Sequence, residues 1–151
     1  MHNKTITINT GLDDFVLIDT ISDIGVEHID GSKHFVRMPP YLCIESLAQL
    51  GAYHVRFLIS FERHAFLMKI KRCTVSGQDL LDGMCRLYGT LSSKSNAAFA
   101  YTLLAEMEHT VLIEGEFLFG TIDYNASLKK EVLQNHYRKV FSCLRNDLKT
   151  G

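Results

Sequence analysis

The stretch from Met38 to Ser60 limits the fold of this chain more than any other. It opens with Pro39 and Pro40, and no other proline occurs in the sequence. Proline suits the first position of a helix, where a missing N–H group costs nothing, so the pair predicts where a helix begins. Apolar residues then fall on nearly every side, which is typical of a buried helix. The rest of the chain is therefore expected to enclose this helix.

A narrow polar line interrupts the apolar surface of the predicted helix. At about 100° per residue, the side chains on that line are Glu45, Gln49, Ala52 and Arg56. Glu45 is a candidate site residue, because its surroundings on the other sides of the helix are apolar; the alternative is an ordinary solvated glutamate. Gln49 and Arg56 also have a structural interpretation, as hydrogen-bonding groups at a subunit contact or at strand ends. His54 lies on the opposite face, where a core histidine with satisfied hydrogen bonds is expected.

Length and composition indicate one globular domain. A chain of 151 residues can bury a core without disulfide bonds, and 46% hydrophobic with 22% charged residues is an ordinary globular composition. The formal net charge of −1 argues against a general nucleic-acid binder, so no nucleic-acid partner is expected. Basic residues are concentrated in residues 125–151, which hold six Lys or Arg and two Asp or Glu.

The cysteines and the N-terminal segment favour a cytoplasmic protein. Four cysteines are scattered without a C-x-x-C pair, which is typical of reduced thiols and not of disulfides or a zinc site. Cys43 is expected to be a buried structural thiol. The first residues, MHNKTITINTGLDD, contain no apolar signal core, and no transmembrane run follows, so no membrane partner is expected. The histidines show no metal-ligand spacing, and no metal is expected.

Segments with strand patterns flank the predicted helix. Before it we predict a weak strand over residues 1–9, a strand over Asp13–Ile24, and turns at Gly25 and Asp30-Gly31 with short extended pieces at Val26–Ile29 and Lys33–Arg37. After it, period-two segments with short connections predict an antiparallel meander of Ala65–Val75, Leu80–Ser92, Ala97–Glu108 and Thr110–Ile122. A last helix follows a cap at residues 125–127, and its apolar side is predicted to hold Leu128, Val132, Tyr137, Val140, Phe141, Leu144 and Leu148.

This order of elements indicates an α+β fold. An all-apolar helix beside one antiparallel sheet can be buried only if the sheet curls around it, and that is the hot-dog arrangement. We therefore predict a hot-dog domain over residues 1–124, in which the curled sheet wraps one long central helix. Residues 125–151 are predicted to form a C-terminal helical extension of the same domain.

Three motifs resemble those of the hot-dog-fold β-hydroxyacyl-acyl-carrier-protein dehydratases, including the small dehydratase-like subunits of aryl-polyene-type polyketide clusters. FVLID at Phe15–Asp19 resembles the family's P-F-L-L-V-D, and MPPYLCIESLAQ at Met38–Gln49 resembles M-P-G-V-L-x-x-E-A-M-A-Q. VSGQDL at Val75–Leu80 resembles V-x-P-G-D-x-L. The three motifs occur in the family's order and cover about residues 12–122, and the middle one is the most specific.

The resemblance implies that a 3-hydroxyacyl thioester of acyl carrier protein or coenzyme A is dehydrated to the trans-2-enoyl thioester, in fatty-acid or polyketide-type synthesis and without a cofactor. Glu45 matches the helix carboxylate that helps the 3-hydroxyl leave as water. His34 matches the histidine that takes the C2 proton, each residue coming from a different subunit of a dimer. Gln49 matches the glutamine of the motif. Pro40 stands where the family has a glycine whose N–H donates to the thioester oxygen; because proline has no N–H, Tyr41 is the expected donor in its place.

Two other functions stay open. The family's P-G-x-P stretch between the histidine and the helix is missing here, so a surface-loop histidine is an equally good interpretation of His34. The chain is then a non-catalytic acyl-binding subunit or a partner subunit of a heteromeric dehydratase. A thioesterase on the same fold is the third function, since a lone carboxylate can activate water. A homo-oligomer or a heterodimer is expected in each case. The basic side chains of Lys69, Lys71, Arg72 and residues 125–151 either dock an acidic carrier protein or form a solvated face.

Overall fold

The computed structural model describes residues 16–77 and 79–150, with the side chains of the last helix described up to Arg145. Within these residues the elements, labelled in chain order, are β1 (Thr20–Ile24), β2 (His28–Met38), α1 (Tyr41–Leu58), β3 (His64–Val75), β4 (Leu81–Lys94), β5 (Ala98–Met107), β6 (Thr110–Ile122) and α2 (Lys130–Thr150). The weak strand predicted over residues 1–9 lies outside the described residues. Neither described helix is long and apolar enough to cross a membrane.

Helix α1 begins at the two prolines, as the sequence predicts. Pro40 has helical φ and ψ angles of −58° and −25°. The carbonyl oxygens of Pro39 and Pro40 accept hydrogen bonds from the N–H groups of Leu42 and Cys43 at 3.1 and 2.9 Å, so the first turn closes directly after the proline pair. The predicted start of the helix is confirmed.

The sheet curls around α1. Its strand order is β1-β2-β4-β5-β6-β3, every neighbouring pair is antiparallel, and α1 contacts all strands from β2 to β6. The approach is close at Gly51, where an added Cβ would lie 2.5 Å from Cζ of Phe119 on β6, so only glycine fits between the helix and the sheet. The predicted α+β fold, a curled antiparallel sheet wrapped around one central helix, is confirmed.

The predicted meander is correct for β4, β5 and β6 but wrong for β3. Despite its short connection to β4, β3 pairs with β6 at the edge of the sheet. The connection after Val75 passes the end of the β5–β6 hairpin, where the N–H of Ser76 donates to the carbonyl oxygen of Leu112 at 2.7 Å. Because the sheet curls, a short connection can join strands that are not neighbours, and the sequence pattern does not contain this information.

The segment before α1 differs from its prediction. β2 runs without a break from His28 to Met38, so the predicted turn at Asp30-Gly31 is wrong. Gly31 serves packing: a Cβ there would lie 2.7 Å from the carbonyl oxygen of Thr20 and 3.0 Å from Cδ1 of Leu50 on α1. The turn at Gly25 is confirmed, since its N–H donates to the His28 carbonyl at 2.9 Å. The predicted strand over 13–24 is a strand only from residue 20, and residues 13–15 lie outside the described part.

Helix α2 packs along β1 and against the C-terminal half of α1, where Phe141 contacts the rings of Tyr53 and Phe57. The Asn125 side chain accepts the N–H groups of Ser127 and Leu128 at 2.8 and 2.9 Å, but it closes a turn before the helix, which begins later, at Lys130. The residues of α2 that pack on the core are Tyr137, Val140, Phe141 and Leu144, as predicted. Val132 is 51% exposed, contrary to prediction, and the side chain of Leu148 lies outside the described residues.

Candidate functional site

Glu45 is exposed on the second turn of α1, while its neighbours Ser46 and Leu47 are fully buried. Tyr41, one turn earlier on the same side of the helix, is 64% exposed. The N–H of Tyr41 finds no acceptor among residues 16–77 and 79–150. The N-terminal end of α1 therefore exposes the carboxylate of Glu45 and the backbone N–H of Tyr41. Pro40 has no N–H to donate.

His34 lies on β2 and does not meet Glu45 within one chain. Along β2, Phe35 and Gly31 face α1, so alternation places the His34 side chain on the outer face of the sheet, where it is exposed. The backbone N–H of His34 donates to Oδ2 of Asp19 at 2.7 Å. A meeting of His34 with Glu45 requires a second subunit, and it stays a prediction.

Gln49 ties the segment before β1 to the central helix. Its Oε1 accepts the N–H of Leu17 at 2.8 Å, and the side chain is half-buried. This contact places the FVLID motif beside the motif that contains Glu45. The hydrogen bond is structural, and a substrate-binding role of Gln49 stays a prediction.

Arg56, at the C-terminal end of the polar line, connects α1 to α2 and to β3. Its Cζ lies 3.6 Å from the ring centroid of Tyr137 on α2 and 4.8 Å from that of Tyr53, and its Nη2 donates to the carbonyl oxygen of Ala65 at 3.3 Å. Burial lowers the pKa of Arg56, while its attraction to the tyrosines acts in the opposite direction. The polar line thus combines one exposed carboxylate, Glu45, with two side chains, Gln49 and Arg56, that make contacts within the fold.

Comparison with known proteins gives matches in structure alone. No family model and no curated protein sequence matches this chain. The dehydratase heterocomplex ApeI:P from Xenorhabdus doucetiae superposes with a TM-score of 0.62 at 14% identity, over 76% of this chain and 86% of that one. Thioesterase HI1161 from Haemophilus influenzae gives 0.61 at 10% identity, over 81% and 93% of the two chains. The chain has the hot-dog fold. At these identities the likeness extends to the fold alone.

The hot-dog sheet leaves part of its inner face uncovered, beside α1. β3 follows α1 after a short connection and contacts it. Pairing with the buried Phe119, Phe117 and Ile113 of β6 places Leu67, Ile70 and Val75 on the inner face. These three β3 side chains are 38%, 39% and 43% exposed, and we refer to them as the open inner face.

The hydrogen bonds of His54 confirm that it is a core histidine. Its Nε2 lies 2.7 Å from the carbonyl oxygen of Gly25, and its Nδ1 lies 2.6 Å from Oη of Tyr101. A carbonyl only accepts, so Nε2 carries the proton and Nδ1 accepts from the tyrosine. Burial lowers the pKa of His54, which keeps the ring neutral. The ring thereby joins α1 to the β1–β2 turn and to β5.

The free energy of unfolding is expected to decrease as the pH drops below about 6.5, the ordinary pKa of histidine. Burial lowers the pKa of both His54 and His64 in the folded chain, so the unfolded chain binds more protons as the pH falls. Their contribution is complete above about pH 6.5 and is lost as the pH falls through their lowered folded-state pKa values, with a slope of at most about 1.4 kcal/mol per pH unit for each ring. Urea unfolding between pH 8 and pH 5 measures this slope. A flat profile over that range would contradict the assignment of neutral buried rings.

Two further groups of side chains of reactive types lie elsewhere in the fold. Cys43 on α1 and Cys85 on β4 are buried free thiols whose Sγ atoms lie 3.6 Å apart, which confirms Cys43 as a buried thiol. Asp23, His28 and Asp30 bring possible ligand atoms within 4.8 Å of one another at the β1–β2 hairpin. Within this group His28 forms an exposed ion pair with Asp23 at 2.8 Å. The strand pairing that assembles it cannot be read from residue spacing.

Proposed function

We propose that this chain is a hot-dog subunit that acts on acyl thioesters of acyl carrier protein or coenzyme A. The observation that carries the proposal is an exposed carboxylate, Glu45, on the central helix that β3, with its open inner face, also contacts. An acyl chain suits an apolar wall, and a carboxyl group at its end can transfer a proton to or from the thioester. The wall and the carboxylate together favour acyl chemistry over a purely structural role.

The proposed reaction is dehydration of a 3-hydroxyacyl thioester to the trans-2-enoyl thioester. A base removes the C2 proton, the C2 electron pair forms the double bond, and the C3–O bond breaks as Glu45 gives its proton to the leaving hydroxyl, which departs as water. His34 from a second subunit is the proposed base. The N–H of Tyr41 is the proposed donor to the thioester oxygen, on which negative charge develops, in place of the donor that Pro40 lacks.

The second candidate is a partner subunit that completes the site of a related hot-dog chain. The position of His34 on the outer face favours it, because one chain alone does not bring an acid and a base together. In the ApeI:P structure a dehydratase is a heterocomplex, which supports this arrangement for a hot-dog dehydratase. An acyl thioesterase is the third candidate, supported by a carboxylate that has no histidine beside it in the described chain and by solved hot-dog thioesterases.

The products formed from an acyl thioester distinguish these functions. The purified protein is incubated with crotonyl-coenzyme A and with 3-hydroxybutyryl-coenzyme A, and both the enoyl absorbance and free thiol are followed. We expect interconversion of the two thioesters without thiol release. Thiol release would instead assign a thioesterase. Activity that requires a second hot-dog subunit would assign the partner-subunit role, and no activity with either substrate in the presence of such a subunit would contradict the proposal.

A further inference from the structure

Three buried polar side-chain atoms find no hydrogen-bond partner among the described residues. They are Nε of Arg56, Nδ1 of His64 and Oγ1 of Thr121. All three lie around Ala65, the second residue of β3. Arg56 donates from Nη2 to the carbonyl oxygen of Ala65 at 3.3 Å, His64 precedes Ala65, and the pairing partner of Ala65 on β6 is Thr121. Since almost every buried polar group in a folded protein is paired, three such atoms at one place indicate a bound ion or water.

The charge of Arg56 favours an anion at this place. Arg56 is only 6% exposed, and no carboxylate among the described side chains forms an ion pair with it. The guanidinium contacts the rings of Tyr53 and Tyr137 and one carbonyl oxygen, which are neutral groups near pH 7. A buried charge is normally paired with an opposite charge, because its removal from water is otherwise too costly. Arg56 thus carries an unneutralised positive charge inside the fold.

Arg56 and Thr121 approach the same space from α1 and from β6. Phe119 faces α1 at Gly51, and Thr121 lies two residues further along β6, so it is on the same face of the sheet. Directly opposite residues of an antiparallel pair have Cα atoms about 4.5–5.5 Å apart, so Thr121 lies beside Ala65, whose carbonyl oxygen accepts from Arg56. The side chain of Ala65 is a single methyl group. No large side chain from this position therefore separates the guanidinium from the hydroxyl.

Both unpaired atoms on this face can donate a hydrogen bond. A guanidinium only donates, and a threonine hydroxyl can donate as well as accept. Strand alternation places the His64 ring on the other side of β3, where its centroid lies 6.2 Å from that of the Tyr137 ring. The pair that can share one ligand is therefore Arg56 and Thr121, and a ligand held by two donors beside a positive charge is an acceptor with negative charge.

We propose that Arg56 and Thr121 bind a chloride ion between the C-terminal end of α1, β3 and β6. Nε of Arg56 and Oγ1 of Thr121 each donate one hydrogen bond to the ion. A small monovalent anion matches the single charge of the guanidinium, whereas a water molecule leaves that charge unneutralised. Because Arg56 also contacts the ring of Tyr137, the ion stabilises the packing of α2 on α1. Glu45 lies 11 residues earlier on α1, about 16 Å along the helix axis, so this site is separate from the proposed acyl site.

The variant Thr121→Val tests the site, because valine keeps the shape of threonine and removes the hydroxyl. Melting temperatures are measured in sodium chloride and in sodium gluconate at equal ionic strength, since gluconate is too bulky for a buried site with two donors. Chloride is expected to raise the melting temperature of the wild-type chain by about 2–4 °C relative to gluconate, because it binds the folded chain alone. Thr121→Val should lose most of this shift. The matched control is Thr110→Val, which removes an exposed hydroxyl from the same strand and should keep the full shift.

Bromide gives a second readout that locates the ion. A crystal grown in bromide is expected to show an anomalous scattering peak within hydrogen-bond distance of Nε of Arg56 and Oγ1 of Thr121. Equal wild-type melting temperatures in the two salts, a chloride shift that Thr121→Val retains in full, or a water molecule without a bromide peak at this position would each overturn the inference. Neither measurement involves a thioester, so its failure would leave the proposed function at Glu45 intact.

Discussion

Replacing Glu45 with Gln is expected to lower kcat/KM for hydration of an enoyl thioester by about 10²–10⁴-fold, the usual contribution of a general acid or base. The amide has nearly the same shape as the carboxyl group but cannot transfer the proton. Because Glu45 is exposed, the substitution should leave the free energy of unfolding within about 0.5 kcal/mol of the wild-type value. The measurement is the initial loss of enoyl absorbance, with the partner subunit added if activity requires it.

The matched control for this variant is Glu27→Gln, which removes the same charge from an exposed position in the β1–β2 turn. It should retain the wild-type rate. If Glu45→Gln retained full activity as well, Glu45 would not be the acid. A variant that lost hydration and also unfolded more easily would point to a structural role for this side chain, contrary to its exposure.

The central helix could be predicted from the sequence because local signals determine it. The proline pair fixes where α1 begins, and apolar residues on all sides require that it be enclosed. β6 matches its predicted span of Thr110–Ile122, since alternation along a long strand is also a local property. The turn predicted within β2 is wrong because glycine after aspartate is typical of a turn. Gly31 instead allows close packing against Thr20 and Leu50, which approach it only in the folded chain. The position of β3 at the sheet edge also depends on contacts between residues that are distant in the sequence.

The candidate site was predictable only in part. Helical spacing placed Glu45, Gln49 and Arg56 on one line, but their different surroundings come from other elements. Gln49 meets the segment before β1, and Arg56 meets α2. The resemblance to dehydratases named His34, and strand alternation in the folded sheet places that residue on the outer face. The proposed pairing of His34 with Glu45 needs a second subunit, so the geometry of one chain does not complete it.

Replacing His54 with Leu is expected to destabilise the fold by about 3 kcal/mol or more. The substitution removes the ring that joins the buried Oη of Tyr101 and the carbonyl oxygen of Gly25, and each buried polar group left unpaired costs about 1–3 kcal/mol. Tyr101→Phe leaves one ring nitrogen without a partner and should cost about 1–2 kcal/mol by the same reasoning. Urea unfolding at pH 8 measures both values with the imidazole neutral.

The contribution of the His54–Tyr101 hydrogen bond can be measured by comparing the unfolding free energies of these variants with each other and with that of Tyr88→Phe. That control removes a hydroxyl from a half-buried tyrosine, whose Oη donates to Glu106 at 3.3 Å. Because water can reach this hydrogen bond, the free energy of unfolding should change by no more than about 0.5 kcal/mol. The double variant His54→Leu/Tyr101→Phe should cost less than the sum of the two single changes, because no hydroxyl is then left unpaired. Additive costs, or a Tyr101→Phe effect as small as that of Tyr88→Phe, would show that the His54–Tyr101 hydrogen bond does not hold α1 to β5.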